Sequence, residues 1–300
     1  MPETPLAKIV RSQSWLEPFA DVTQKIVAGA YKALGPLGLP ARNLMHGTWL
    51  LRHPLHPALT DVPIGAWTVG VVADYAAHFT HAIPESAGDV ALIVGLLAAL
   101  LTLVTGFTDF IDTFGLERRF AAAHGLIMTA VVAVEAVSVF LRWFGGAGLH
   151  PLAVALSTVG WLAVLLGAWY GGHVVFAIGY PVNRNAFIES GPDDWTAAGS
   201  AEAVPDGGMT MVQVNGMNVL LARDGGRICA LSDVCTHVGG PLHEGAREEG
   251  VVICPWHASR FRLSDGRCVG GPASQDLPQM LVREVNGVVE VKLAEPVHEP

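Results

Sequence analysis

The chain has 300 residues, enough for two domains, of which 51% are hydrophobic and only 15% are charged. Its formal net charge of −9 gives no electrostatic support for nucleic-acid binding, so no nucleic-acid partner is expected. The hydrophobic residues concentrate between about 61 and 180, which argues against an entirely soluble protein.

The first predicted element is an amphipathic helix near the N-terminus. Apolar residues recur at helical spacing between Trp15 and Leu34, with Lys25 and Lys32 among them. We expect residues 1–45 to form a cytoplasmic amphipathic segment, either lying in the membrane interface or packed against membrane helices. No cleavable signal sequence is expected, because the N-terminus has no suitable apolar core.

Residues 46–182 are predicted to form an all-α transmembrane domain of four helices. Apolar runs at 61–79, 89–107, about 121–144 and about 151–180 are each long enough to cross a bilayer at roughly 20 residues. A packed soluble helical core is the alternative. Lys and Arg concentrate before the first run, at Arg118 and Arg119, and at Arg184. The positive-inside rule then predicts a multi-pass inner-membrane protein with both termini in the cytoplasm.

Ionisable residues flank these runs on the predicted cytoplasmic side. They are His53, His56, Asp109, Asp112, His124 and His173. Two interpretations are open: a quinone-binding or other redox site, such as a haem between two of the histidines, or interfacial residues that cap helices and meet lipid headgroups. Glu135 lies inside the third run, as either a proton-relay group or a carboxyl bonded to a neighbouring helix.

The opening of this domain carries a family resemblance. His53-Pro54-Leu55-His56-Pro57, continued by residues 58–65, resembles the start of a bacterial four-helix membrane family, domain of unknown function 2231. The resemblance covers roughly residues 46–182, with Gly171-Gly172-His173 near its end. It implies an architecture and little about activity, because that family has no settled function.

The C-terminal third has the pattern of a small β domain. Residues 183–205 are predicted to be a linker, because 191–203 are rich in Gly, Ser, Ala and Pro. Residues 206–296 contain about nine short β runs, separated by turn signals such as Asn215-Gly216, Asp265-Gly266 and Asn286-Gly287. This pattern predicts an antiparallel sandwich or barrel.

Two short loops in this domain carry metal-ligand chemistry. Cys235-Thr236-His237 and Cys254-Pro255-Trp256-His257 each offer one thiolate and one imidazole, with sixteen residues between His237 and Cys254. A [2Fe–2S] cluster with histidines on one iron needs this donor set. A tetrahedral zinc site is the alternative, although zinc sites usually pair Cys with Cys and His with His.

The spacing C-x-H-x16-C-x2-H, with its flanking Gly and Pro residues, resembles a Rieske iron–sulfur domain. The resemblance implies a [2Fe–2S] cluster with Cys235 and Cys254 on one iron and His237 and His257 on the other. It also implies an antiparallel sandwich with the ligand loops at one tip and both histidines facing solvent or a docking partner.

Several residues differ from those of one Rieske subtype, and these differences indicate which subtype the chain resembles. Rieske proteins of cytochrome bc complexes carry a disulfide between the loops, where this chain has Gly240 and Trp256. They also place Ser and Tyr hydroxyls near the cluster, at the positions of Ser259 and Phe261 here. The resemblance is therefore to ferredoxin-type domains, and it implies a potential low in the range of roughly −150 to +300 mV. Cys229 and Cys268, the other cysteines of the chain, are expected to be buried structural residues.

The sequence predicts a membrane-anchored Rieske electron-transfer protein. It would pass single electrons between a cytoplasmic redox partner, a reductase or oxygenase component, and a membrane or oxygenase partner. No catalytic residue is predicted: after residue 180 the histidines outside the two loops are His243 and His298, too few for a mononuclear iron site. The alternatives are a membrane-bound redox sensor or assembly module, and a membrane oxidoreductase linked to quinone or haem.

Overall fold

A computed structural model of the chain describes residues 4–84 and 86–294, so His298 lies outside the described residues. The chain divides into two compact units. The helical unit comprises residues 4–45 and 55–178, and the β unit comprises residues 46–54 and 179–294.

The helical unit is built around four long helices. Over the described residues its helices are α1 (Pro5–Ser12), α2 (Leu16–Ala33), α3 (Gly38–His46), α4 (Leu55–Thr80), α5 (Ser86–Phe110), α6 (Gly115–Phe144) and α7 (His150–Gly172), the last extended by a π-helical turn at His173–Ile178. Helix α4 packs along α5, and α6 packs along α7. The two hairpins meet through α5 against α6 and α4 against α7. Helices α4 and α6 are therefore diagonal in a four-helix bundle.

Helix α2 packs on the bundle by one face and leaves the other face open. Its Ala20 is buried, and Glu17 accepts a 2.8 Å hydrogen bond from Arg119 of α6. The amide of Gln24 donates 2.8 Å to the carbonyl of Phe110 at the end of α5. On the opposite side Val22 and Ile26 are exposed. Helix α2 therefore packs against the bundle, as one of the two alternatives for this segment predicts, and keeps an apolar outer face.

Three stretches of the described residues are long and apolar enough to cross a membrane. They are Ser86–Phe110, Gly115–Phe144 and Ala147–Ile178. The sequence predicts a fourth, but α4 does not reach the same hydropathy. One cause is Asp74, whose side chain is 1% exposed and faces the interior of the bundle. The outer residues of α4, including Val62, Val69 and Val72, are apolar and exposed.

An ionic cluster occupies the interior of the bundle. The Arg142 guanidinium of α6 donates 2.9 Å to Asp74 of α4 and 2.8 Å to Asp89 of α5, and none of the Arg142 side chain is exposed. Each partner supplies an oxygen for a charge that apolar surroundings would otherwise leave unpaired. Glu135, one of the residues that the sequence marks as unusual, is fully buried against Gly160 of α7.

The β unit contains two antiparallel sheets. Over the described residues its strands are β1 (Thr196–Ser200), β2 (Met209–Val214), β3 (Met217–Asp224), β4 (Arg227–Ser232), β5 (Ala246–Glu248), β6 (Val251–Ile253), β7 (Arg260–Arg262), β8 (Cys268–Gly270), β9 (Gln279–Val285) and β10 (Val288–Leu293). The larger sheet has the order β1-β10-β9-β4-β3-β2, and the smaller has the order β5-β6-β7-β8.

Strand β3 explains how the two sheets share a core. Val219 and Leu221 point into an apolar cluster on one face of the larger sheet, while Leu220 and Ala222 point into a second cluster shared with the smaller sheet. Both faces of the strand are buried, so its sequence is a continuous apolar run. The sequence predicts the hairpin of β2 and β3 from its turn, Asn215-Gly216. Both turn residues have positive φ, at 47° and 84°.

The boundaries of the β unit differ from the expected ones. Strand β1 lies inside 183–205, the predicted linker, and pairs with β10 at the edge of the larger sheet. Residues 46–54, expected to belong to the membrane domain, pack in the β unit, where the Thr48 hydroxyl donates 2.9 Å to the carbonyl of Ala273. Both segments contact residues that are far away in the sequence, and amino-acid composition does not predict such contacts.

Candidate metal centre

One predicted ligand loop follows β4 of the larger sheet, and the other joins β6 and β7 of the smaller sheet. Cys235 and His237 follow β4, and the loop is closed by a bridge between Val234 and Pro241. Cys254 and His257 lie in the β6–β7 connection. Each loop turns back tightly at its cysteine: the N–H of Gly239 donates 2.9 Å to the carbonyl of Cys235, and that of Ala258 donates 3.0 Å to the carbonyl of Cys254. These turns aim both side chains of each loop inward.

The four donor side chains meet as two like pairs. The Nδ1 atoms of His237 and His257 are 3.3 Å apart, and the thiol of Cys235 is hydrogen-bonded to the sulfur of Cys254. Among the described residues no three His, Cys, Asp or Glu side chains converge on one metal position. Two sulfurs for one iron and two imidazoles for another match a [2Fe–2S] cluster, whose bridging sulfides supply the remaining ligands.

The pKa values of the two thiols are shifted in opposite directions. The hydrogen bond from Cys235 lowers the pKa of Cys254 to about 7, and backbone N–H groups of Trp256 and His257 act in the same direction. The same bond, together with burial, raises the pKa of Cys235. One thiolate is therefore available near neutral pH, and binding of iron displaces the proton of the other cysteine.

The side chains behind Cys235 set its hydrogen bonding. Ser259 is fully buried, accepts 3.0 Å from the N–H of Ala273 and hydrogen-bonds Cys235 through its hydroxyl. Phe261 is also fully buried and packs in the same cluster as Cys235 and Cys254. Phenylalanine has no hydroxyl to donate, so this wall of the site is apolar.

Gly240 and Trp256 connect the two loops where a disulfide is absent. A Cβ atom at Gly240 would lie 2.8 Å from the sulfur of Cys254 and 3.1 Å from the Trp256 ring, so only glycine allows the observed contact. All four cysteines fall within the described residues, and none is in a disulfide. The two loops are therefore joined by the packing of Trp256 on Gly240 and not by a disulfide bond.

The two imidazoles differ in exposure. His257 is half-buried beside Trp256, which is 50% exposed, whereas His237 is only 5% exposed. His257 is therefore partly accessible to solvent, whereas His237 is not. The ring of Tyr180 stands edge-on to it, with ring centroids 5.1 Å apart. The sequence did not predict Tyr180 as part of the site. This residue precedes β1, lies outside both ligand loops and belongs to no recognisable motif.

The two remaining cysteines have structural roles in the β unit. Cys268 is buried and donates 3.2 Å to the carbonyl of Ala273, and burial raises its pKa to about 12. Burial also raises the pKa of Cys229 on β4. Both are therefore protonated at neutral pH.

Comparison with known families bears on both units. Residues 194–281 match the family described as the Rieske [2Fe-2S] domain, and residues 52–184 match the family described as a predicted membrane protein, DUF2231. The chain joins a DUF2231 domain to a Rieske domain. The Rieske domain accounts for the paired donors and identifies the cofactor as a [2Fe–2S] cluster held by a domain of the electron-transfer type.

Relatives of the Rieske domain include subunits of several redox systems. The chain is 32% identical over 98 residues to the cytochrome b6-f complex iron-sulfur subunit of Chlorobaculum tepidum, covering 33% of this chain and 53% of that protein. It is 29% identical over 100 residues to the ferredoxin component of the naphthalene 1,2-dioxygenase/salicylate 5-hydroxylase systems of Ralstonia sp, covering 33% of this chain and 96% of that protein. The chain thus spans about half the length of the Chlorobaculum subunit.

Solved structures include the complex of reduced oxygenase and oxidized ferredoxin in carbazole 1,9a-dioxygenase. It shares 25% identity with this chain at a TM-score of 0.33, covering 35% of this chain and 99% of that one.

The ionisable residues predicted at one membrane face do not form one cluster. Within the helical unit His56 and His124 come together, with ring centroids 6.2 Å apart. The His173 ring packs on the rings of Phe120 and Trp169 instead. Of the others, Asp112 pairs with Arg42, the Asp109 carbonyl accepts from the Asp112 N–H, and His53 belongs to the β unit.

Replacing Phe261 by tyrosine is expected to raise the midpoint potential of the cluster. A hydroxyl there would donate to a ligand sulfur and favour the reduced, more negative state. One hydrogen bond of about 1 kcal/mol corresponds to roughly 40 mV for a one-electron couple. Potentiometric titration monitored by EPR measures the shift, with Phe261→Leu as the control that adds no donor. Equal midpoints in the Tyr and Leu variants would contradict this account.

Proposed function

We propose that the protein is a membrane-anchored, low-potential Rieske electron carrier. The observation that supports this most directly is the pairing of two thiols and two imidazoles at the meeting point of the two loops. A [2Fe–2S] cluster in that setting takes up and releases one electron at a time. Phe261 and the absence of a disulfide between the loops favour a potential near the lower end of the Rieske range.

In this proposal α4, α5, α6 and α7 all cross the membrane. Helix α4 runs along α5 and is of similar length, 26 against 25 residues, and its Asp74 is paired with Arg142 inside the bundle. Its outer residues are apolar, as contact with lipid requires. Arg118 and Arg119 lie near the start of α6, next to the α5–α6 connection, whereas residues 81–88, around the α4–α5 connection, contain neither Lys nor Arg. The positive-inside rule then places both termini and the Rieske domain in the cytoplasm.

The proposed redox partner is a reductase or oxygenase component that docks on the β6–β7 loop. Pro255 and Trp256 are exposed there, next to the half-buried ligand His257. An exposed aromatic beside a ligand suits a short-lived contact between redox proteins, which bury little surface. The similarity to the ferredoxin component from Ralstonia supports a partner of this class. That similarity extends over 33% of this chain.

Membrane vesicles of defined orientation test carrier function and sidedness together. The probe is NADH with a flavin-dependent ferredoxin reductase, a protein that does not cross membranes. We expect EPR to detect rapid cluster reduction in inside-out vesicles, and in right-side-out vesicles only after detergent is added. Reduction in intact right-side-out vesicles would overturn the proposed orientation. A cluster that dithionite reduces in detergent but the reductase never reduces would contradict the proposed partner class.

A further inference from the structure

His56 and His124 face each other across the interior of the helical bundle. His56 lies two helical turns before the buried Pro63 of α4, and therefore on the same face of that helix. His124 likewise lies two turns before the buried Val131 of α6. Because α4 and α6 are diagonal, both side chains approach the centre of the bundle. Their ring centroids are 6.2 Å apart, and the ring planes make an angle of 75°.

The two helical hairpins hold these rings in the same way. The Nδ1 of His56 lies 3.0 Å from the carbonyl of Thr102 on α5, and that of His124 lies 2.8 Å from the carbonyl of Gly167 on α7. A glycine follows each carbonyl by four residues. A Cβ atom at Gly106 would lie 2.8 Å from the Cε1 of His56, and one at Gly171 would lie 3.1 Å from the Cε1 of His124.

This arrangement prepares both imidazoles as metal ligands. A carbonyl partner requires Nδ1 to carry the proton, so Nε2 keeps its lone pair, as in most metal-binding histidines. A transition metal binds an imidazole nitrogen at about 2 Å, so two rings on opposite sides of one ion would have centroids about 6 Å apart. The observed separation of 6.2 Å fits this geometry.

The number of donors selects the kind of metal centre. Within the described residues no third His, Cys, Asp or Glu joins the pair to form a metal-binding group. A bare Zn²⁺ or Cu²⁺ ion would keep most of its positions for water, which the core of an apolar bundle does not supply. A haem iron brings four nitrogens of its own and takes two axial ligands from the protein.

We propose that the helical unit binds one non-covalent haem, with His56 and His124 as its axial ligands. Its iron would cycle between Fe³⁺ and Fe²⁺ by gaining and losing one electron, with no bond formed or broken. Glycines at the closest approach of α5 and α7 let both rings lie directly against the backbone of those helices, which fixes the two ligands on opposite sides of the proposed iron. The site goes beyond the proposed carrier function, which does not depend on it.

Hemin titration of the full chain in detergent tests the proposal. We expect saturation at one hemin per chain and, after reduction, the sharp absorption bands of six-coordinate low-spin haem. His56→Ala and His124→Ala should each lose these bands and bind hemin at least about tenfold more weakly, because one axial ligand is gone. His173→Ala is the matched control, since that ring packs on Phe120 and Trp169, and it should keep the wild-type spectrum.

Chemical rescue separates ligand loss from misfolding. Free imidazole added to the His124→Ala protein should restore the low-spin bands, because it fills the missing axial position. Monodispersity in detergent and the melting temperature report whether each variant is folded. Three results would overturn the proposal: uptake of hemin without saturation, the same spectrum in wild type and both ligand variants, or loss of the spectrum in His173→Ala alone.

Discussion

Replacing Cys254 by serine is expected to remove the [2Fe–2S] cluster from the purified protein. Each iron has only two protein ligands, so loss of one sulfur leaves an iron with a single strong anchor. Cys254 is also the cysteine with a pKa lowered to about 7, so it supplies the thiolate present before iron binds. Iron content should fall from about two per chain to near zero, with loss of the visible absorption and the EPR signal of the reduced protein.

Cys229→Ser is the matched control for this experiment. Cys229 is half-buried on β4, a few residues before the first ligand loop, and its pKa is raised by burial. The serine variant should retain iron, absorption bands and EPR signal. The assignment of ligands would be contradicted by a Cys254→Ser protein that keeps its cluster, or by equal loss of iron in the two variants.

Replacing Arg142 by leucine is expected to be the most damaging single change in the helical unit. Asp74 would then have 1% of its side chain exposed and no guanidinium beside it. Removing one partner of a buried ion pair typically costs about 3–5 kcal/mol, because the remaining charge is left without compensation. Thermal unfolding of the detergent-solubilised chain, followed by circular dichroism at the helical band, measures the loss.

Arg118→Leu removes a pair on the surface of the same unit and provides the comparison. Its partners Asp21 and Glu17 have side chains 57% and 36% exposed, so water can solvate them once the arginine is gone. The expected loss is within about 1 kcal/mol. The double variant Arg142→Leu with Asp74→Leu should recover much of the stability, because the remaining partner, Asp89, has a side chain 22% exposed that water can solvate. Equal destabilisation by Arg142→Leu and Arg118→Leu would refute the role given to the buried cluster.

Local sequence signals predicted most of the β unit. The hairpin turn at Asn215-Gly216 requires two residues with positive φ, and the structure has both. The spacing of the ligand loops predicted the four donors, because the Cys and His of each pair are close together in the chain. Strand β1 was not predicted, since its pairing with β10 joins residues almost a hundred positions apart and its own composition is typical of a linker.

The interior of the helical unit was harder to predict for the same reason. Asp74 and Arg142 are 68 residues apart and each interrupts an apolar run, so neither indicates its partner. Their pairing places polar groups on the inner face of α4, which lowers the hydropathy of that helix without exposing charge to its outer surface. His56 and His124 were marked as ionisable residues near helix ends, but their shared geometry depends on two carbonyls and two glycines of other helices.

Pulsed EPR on the dithionite-reduced full chain tests the central claim most directly, because it detects the ligand nuclei of the cluster itself. A Rieske centre held by His237 and His257 predicts two strongly coupled histidine nitrogens, in a sample with about two irons and two labile sulfides per chain. Substitution of either histidine should abolish that pattern. A paramagnetic cluster without nitrogen coupling, or a protein that contains zinc and no iron, would contradict the account.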